Sequence, residues 1–403
     1  MSNEERIEKI AELRQILERS ELGETEAANL LVRQGLLFAS GEDYVFAISC
    51  YDKAIQLQQE CYKAWKNRGD ALLSLKRYEE ALASFDKALK TKPDNYFVWH
   101  NRGIALWYLE RYDEVIASYD RSLEIQSDYS SIWHDRGIAL HKLGRYEEAL
   151  KNFDNGLEIQ SDCQFTWHSR GILLCDDLRQ YEEALSNFNK ALEIDPNDCS
   201  TWHDRGVSLR NLGRYEESLA SFDKALEIQS DHHFSWQNRG YALCKLERYG
   251  EALASFDKAL EIDSNDFSAC NWGNRGITLL KLKRYEEALS SYNQALEIQP
   301  ENHRIWQLLG FVLVKLKRHK EFIVRCEKAL ETQPYNWLLR SLLFGHLLKV
   351  GRFGNAIKQI QEIQLIQNID KETTWQQIQN YAEATQNKWF LWILKMCKHF
   401  QSN

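Results

Sequence analysis

The sequence predicts an all-α protein built as a solenoid of about ten stacked helical hairpins. Three observations carry this. Tryptophans fall at 65, 99, 133, 167, 202, 236, 272 and 306, in steps of 34, 34, 34, 35, 34, 36 and 34 residues. Thirteen residues after most of them stands Tyr78, Tyr112, Tyr146, Tyr215, Tyr249 or Tyr285, and seven further on an aromatic: Phe85, Tyr119, Phe153, Phe222, Phe256 or Tyr292. Glycine recurs at 69, 103, 137, 171, 206, 240, 276 and 310. Glycine inside a helix costs about 1 kcal/mol, so its recurrence needs a packing reason.

Each repeat reads as two helices. In the first, Trp65, Gly69 and Leu72 share one stripe. Lys76-Arg77-Tyr78 makes a short turn. Glu79 to Lys90 forms the second helix, with Ala81, Phe85, Ala88 and Leu89 on its apolar face. Between repeats, Asp94, Asp128, Asp162, Asp198 and Asp231 stand where a helix N-cap is expected, with Pro93, Pro196, Pro300 and Pro334 nearby. Residues 4–20 read as an amphipathic helix with Ile7, Ile10, Leu13 and Leu17 inward. Residues 371–400 read as one or two closing helices. Such caps are required because each repeat exposes an apolar face that only a neighbour covers.

This pattern resembles the tetratricopeptide repeat family, whose W-x2-L-G-x2-Y…A-x3-F-x2-A…P signature is met by Trp65, Gly69, Ala81, Phe85, Ala88 and Pro93. In that register repeats begin at 28, 62, 96, 130, 164, 199, 233, 269, 303 and 337, about 85% of the chain. The expected organisation is an N-terminal cap over 1–27, the array over 28–370 and an aromatic, basic C-terminal cap over 371–403. The first repeat shows Gly35, Tyr44, Ala47, Tyr51 and Ala54 but has Leu31 for tryptophan. The last keeps Phe353 and Ala356. The Asn-Arg-Gly and Tyr-Glu-Glu-Ala-Leu wording is similar to bacterial members. The resemblance implies a right-handed superhelix with a concave face lined by first helices, and a protein that holds protein partners. Where the family has leucine, this chain has Arg68, Arg102, Arg136, Arg170, Arg205, Arg239 and Arg275. Their stems can pack as leucine does, and their charges need acidic partners.

The period breaks twice. Trp167 to Tyr181 spans 14 residues, which places an extra residue inside that hairpin near Asp176-Asp177-Leu178. Trp272 to Tyr285 spans the usual 13, so two extra residues precede it in the 265–268 link, where a change of superhelical pitch is expected.

Charge and motifs narrow the function. The net charge of −8 argues against a nucleic-acid binder. It is uneven: residues 303–403 carry 15 Lys/Arg against 7 Asp/Glu, and residues 1–302 carry 36 against 52. Nine scattered cysteines, with no CxxC pair, read as reduced thiols of a cytoplasmic protein. Neither a signal peptide nor an 18-residue apolar run is visible, so no integral membrane segment is expected. No GxSxG, HExxH, Walker A or GxGxxG motif occurs, and Glu79-Glu80 recurs with the period as a solvated face. No enzyme and no cofactor are expected. Arg68-Gly69-Asp70 lies within a helix and is repeat sequence, not an adhesion motif.

Mapped onto the implied concave face, one line runs Lys66, His100, His134, His168, His203, Gln237. A second runs Asn67, Asn101, Asp135, Ser169, Asp204, Asn238, Asn274. A third, apolar line runs Ile104, Ile138, Ile172, Val207, Tyr241, Ile277, Phe311. Amides that can bond a peptide backbone, above an apolar floor, suit an extended peptide or a partner helix. The histidines could make binding pH-sensitive. They are not a metal site, because ligands one repeat apart lie too far apart to share an ion at about 2.0–2.1 Å. Some family members clamp a chaperone's terminal carboxylate. Lys66 and Asn101 match that pattern, but Asp70, Ser131 and Asp135 depart from it, and acids there repel a carboxylate. A second partner surface is expected at the basic end, from Lys315, Lys317, Arg318, His319, Lys320, Arg325 and Lys328 with Trp389 and Trp392. It would serve a partner or a second copy of the chain, less readily RNA or a membrane surface. The expected function is an interaction scaffold or adaptor, the alternative a regulatory or sensor subunit of an enzyme complex such as a protease or kinase partner.

Overall fold

The computed structural model describes residues 3–18, 22–262 and 268–367, and within them all regular structure is helical. A leading helix α1 (Asn3–Leu17) precedes ten hairpins. They are α2 (Glu24–Ala39) with α3 (Tyr44–Leu57), α4 (Tyr62–Ser74) with α5 (Tyr78–Thr91), α6 (Tyr96–Tyr108) with α7 (Tyr112–Ile125), and α8 (Ser130–Lys142) with α9 (Tyr146–Ile159). Next come α10 (Gln164–Ile172) with α11 (Tyr181–Ile194), α12 (Cys199–Asn211) with α13 (Tyr215–Ile228), and α14 (His233–Lys245) with α15 (Tyr249–Ile262). The last are α16 (Ser268–Lys281) with α17 (Tyr285–Ile298), α18 (His303–Lys315) with α19 (His319–Thr332), and α20 (Trp337–Lys349) with α21 (Phe353–Gln367). The chain divides into two compact units, Met1–Ser208 and Leu209–Asn403, the division falling within the α12 sequence.

The recurring glycine has the packing reason the sequence demands. A methyl group on Gly69 would lie 2.4 Å from Cε1 of Phe85, and on Gly137 2.6 Å from Cε1 of Phe153. The same close approach joins Gly35 to Tyr51, Gly103 to Tyr119, Gly171 to Phe188, Gly240 to Phe256 and Gly276 to Tyr292. These rings are fully buried. Each turn ends its first helix with a residue in the left-handed region, for example Lys76 at φ 59°. Lys76 N–H then bonds the Leu73 carbonyl and Arg77 N–H the Leu72 carbonyl, a Schellman closure. Arg77 in turn grips the exposed Glu80 with two hydrogen bonds of 2.7 Å.

Neighbouring hairpins are tied by two further devices. The tryptophan indole N–H donates to a carbonyl six residues earlier, in the inter-repeat link: Trp65 to Gln59 at 2.8 Å, Trp99 to Pro93 at 2.8 Å, Trp236 to Ser230 at 2.9 Å, Trp306 to Pro300 at 2.8 Å. In the last repeat Arg340 stands at that place and donates to the Pro334 carbonyl at 2.8 Å. Six of the seven arginines that replace leucine find an acid on the preceding second helix, and at the corresponding place Arg205 bonds the Asn189 amide oxygen at 2.8 Å. Arg68 binds Asp52 of the preceding repeat at 2.7 Å and Ser84 of its own second helix at 2.7 Å. Arg102 does the same with Asp86 and Ser118, and Arg275 with Asp257 and Ser291.

Two local expectations change. The expected caps lie one residue too early in most repeats. Asn95, Asn302 and Asn336 cap their helices, accepting from Val98, Ile305 and Leu339 N–H at 3.1, 3.2 and 3.0 Å. Asp94, Asp128, Asp162 and Asp231 precede the capping residue, while Asp198 holds the expected place and accepts from Ser200 N–H at 3.1 Å. In α1, Ile10, Leu13 and Leu17 are half-buried but Ile7 is exposed. The extra residue near Asp176 is absorbed by a π turn, Leu173–Asp177, where Leu178 N–H reaches back five residues to the Leu173 carbonyl. Of the 265–268 link, residues 265–267 lie outside the described residues and Ser268 begins α16.

Displacing the Phe153 ring costs about 1–3 kcal/mol, so replacing Gly137 with Ala should destabilise the N-terminal unit by up to about 2 kcal/mol once the ~1 kcal/mol helix advantage of alanine is subtracted. Urea unfolding checks it; an unchanged or raised midpoint would remove the proposed reason for the glycine row. A second expectation concerns His346, buried on Phe322 with its Nδ1 3.4 Å from Nδ1 of His319. Burial, then His319 and Lys349, push its pKa down to about 3. The unfolded chain therefore binds a proton near pH 6.5 that the folded chain refuses. Stability is full above that pH and falls by about 1.4 kcal/mol per unit as the pH drops toward 3. Hydrogen exchange at pH 7 and pH 5 should show the α18–α21 hairpins opening more readily at pH 5, and His346→Gln should remove most of that difference.

Candidate protein-binding face

In both units, first helices of successive hairpins touch one another, as α2 does α4, α4 does α6, and α16 does α18. Successive second helices come together less closely. The first helices therefore line the inner side of each unit, and their outward side chains form a continuous face.

In the N-terminal unit the polar rows of this face are bonded across repeats. Asp70 accepts from Lys66 Nζ at 2.8 Å and from Asn101 Nδ2 at 2.8 Å, and Asn101 is buried. His100 Nε2 lies 2.7 Å from Asp135 Oδ2, and His168 Nε2 lies 2.8 Å from Asp204 Oδ2. His134 Nδ1 meets Thr166 Oγ1 at 3.1 Å, and burial lowers its pKa while Asp135 opposes the shift. These three imidazoles lean on Tyr119, Phe153 and Phe188, the same rings that meet the glycines. Amide and histidine rows thus bond neighbouring first helices to each other. Asn67, Ser169 and His203 are half-buried alongside, with Asn67 Oδ1 3.5 Å from Lys66 Nζ. Between the rows, Ile104, Ile138, Ile172 and Val207 are half-buried.

Sequence reading missed three features here. Phe97 and Phe165 are 42% and 69% exposed, each one turn before a row histidine, a spacing that could have found them. Tyr108, 57% exposed, stacks on Tyr78 at 4.5 Å. The π turn presents Asp177 to His141 Nε2 at 2.7 Å, and the Tyr146 hydroxyl also bonds Asp177.

The face of the C-terminal unit has another character. Tyr241 is exposed, with Arg210 5.6 Å and Lys245 5.3 Å from its ring centre, and Lys315 stands 5.2 Å over exposed Phe311. Asn238 is held by Arg210 and by the Phe234 carbonyl at 3.0 Å. Gln237, Asn274 and Ile277 are half-buried, and Asn274 Nδ2 lies 3.6 Å from Cys270 Sγ. At the basic end Lys315, Lys317 and Lys320 are exposed. Arg318 is engaged by Glu286 at 2.9 Å and Glu321 at 2.6 Å, and Arg325 by Glu321 and Asn293 at 2.8 and 2.7 Å. His319 faces His346. Trp389 and Trp392 lie outside the described residues. Among the described residues no group of three or more His, Cys, Asp or Glu is placed to hold a metal ion, and no helix is long and apolar enough to cross a membrane.

Comparison with known proteins agrees with this architecture. Tetratricopeptide repeat models match residues 62–95, 98–129, 130–163, 166–198, 187–220, 233–301 and 274–336. No curated protein matches the chain. Among solved structures, the C-terminal part of a TPR repeat-containing protein from Cytophaga hutchinsonii aligns at 16% identity, over 60% of this chain and 98% of that one, with a TM-score of 0.52. A tetratricopeptide repeat protein from Parabacteroides merdae aligns at 20% identity, over 63% and 99%, with a TM-score of 0.47. YrrB, described as a TPR protein with an unusual peptide-binding site, aligns at 26% identity, over 46% and 95%, with a TM-score of 0.41. Matched over nearly all of residues 62–336, and built of hairpins throughout its described residues, this chain belongs to the tetratricopeptide repeat family, a fold of protein-interaction scaffolds.

Proposed function

We propose that this chain is an adaptor that binds a segment of a partner protein along the inner face of its N-terminal unit. The observation that carries the reading is the surface there. Exposed Phe97, Phe165 and Tyr108 stand beside a floor of Ile104, Ile138 and Ile172. Large exposed aromatics flanked by polar groups mark an interaction site more often than a solvated face. The hydrogen bonds between first helices favour the same reading, since a face that is already rigid loses little entropy when a partner settles on it.

Affinity capture with the full chain and mass spectrometry would identify the partner. Replacing His134, Asp135 and Ile138 together with Ala should then weaken its binding at least tenfold with the helical circular dichroism signal retained. Unchanged affinity in that variant would move the site elsewhere. Co-capture of an enzyme whose rate changes on binding would specify the role as that of a regulatory subunit.

A further inference from the structure

The occupant of that inner face can be narrowed by charge and spacing, an inference that rests on the proposed site. Over the first helices of residues 96–208, Asp135, Asp176, Asp177 and Asp204 reach the surface and Lys142 is an exposed cation, while Arg102, Arg136 and Arg170 are half-buried against Asp86, Asp120 and Asp154, and Arg205 against Asn189. Three of the acids are held by imidazoles: Asp135 by His100, Asp177 by His141 and Asp204 by His168. A neutral imidazole donates one N–H and leaves the carboxylate's full negative charge in place, fixed in position with further lone pairs open to a donor. Asp135 of α8 and Asp204 of α12 hold the same place in repeats two apart, with Ser169 between them, while Asp177 lies in the π turn, eight residues beyond Ser169 and about 12 Å further along that helix. Packed helices lie about 8–10 Å apart. An extended chain advances about 3.3 Å per residue. The two repeats from Asp135 to Asp204 therefore match about five or six residues of an extended ligand.

We propose that the face takes an extended segment of another protein carrying Lys or Arg residues five or six apart, with apolar or small residues between. Two basic side chains meet Asp135 and Asp204, a further one reaches Asp177 to the side of that line, and the apolar ones lie on Ile138, Ile172 and Phe165. An acidic tail, the ligand of a carboxylate clamp, is repelled by the same three groups.

Random twelve-residue peptides displayed on phage and selected on the immobilised full chain at pH 8 and low salt test this. Enriched peptides should carry Lys/Arg residues five or six apart. Their affinity should fall roughly tenfold in the Asp135→Asn, Asp177→Asn, Asp204→Asn triple variant, the sum of three exposed ion pairs. Raising salt from 50 to 500 mM should weaken wild-type binding likewise, a readout that needs no variant to fold. Enriched peptides without basic residues, weakened by Phe165→Ala but not by salt or the Asn variant, would overturn the basic occupant and leave the face standing. Peptides indifferent to both variants, or no enrichment, would overturn the face as well.

Discussion

Everything in this array depends on the contact between a helical glycine and an aromatic ring of the facing helix. The glycine costs about 1 kcal/mol of helix propensity. The ring it admits is fully buried, which stabilises by about 1.5–3 kcal/mol. The exchange is favourable only if no atom intrudes, and a methyl at 2.4 Å from Phe85 would intrude. That distance sets how closely α4 and α5 approach, and therefore how far each repeat steps along the array. Gly310 shows the tolerance of the arrangement. Cys326 occupies the usual aromatic position there, and Phe322, one turn earlier in α19, fills the space with its ring 3.1 Å from the would-be methyl.

With the hairpin fixed, the stack is completed by polar bonds placed where apolar packing alone would slide. Hydrophobic contact is non-directional. Arg68, bonded at once to Asp52 before it and Ser84 after it, joins three helices in one register. The guanidinium is largely buried in each such site while its carboxylate is about half exposed, so the pair keeps some solvation and the desolvation cost stays moderate. The indole-to-carbonyl bond fixes the link between repeats in the same way.

What could be read in advance follows from this division. Glycine, aromatic and tryptophan recur in sequence because they make the same contact in every repeat, so period alone located every described hairpin. The arginines were legible as charges in need of acids, and Asp52, Asp86 and Asp257 supply them. Arg340 was not legible as the stand-in for tryptophan, since no composition rule equates a guanidinium with an indole; both donate N–H to the same carbonyl. At Asp94-Asn95 two good cap residues stand side by side and backbone geometry selects the second, whereas after Asp128, Asp162 and Asp231 the capping place falls to Tyr129, Cys163 and His232, whose side chains make no capping bond. The histidine row was legible as a row, but its partners were not. His100 finds Asp135 35 residues away, a contact that exists only once the repeats stack.

The inserted residue in α10 shows how scaffold and face are kept separate. A residue added to an α-helix rotates everything after it by about 100°, which would carry the hairpin turn off its neighbour. The π turn takes up the extra residue locally, so Arg179 still turns left-handed at φ 55° and Tyr181 still begins α11. Phe188 consequently keeps its place against Gly171. The change is expressed where the turn bulges outward: Asp176 and Asp177 come to the surface, and Asp177 reaches back to His141 and Tyr146 of the preceding repeat. A single insertion has left the glycine–ring contact intact and added negative charge to the inner face, which is how an array with so constrained a repeat can still acquire a distinctive surface.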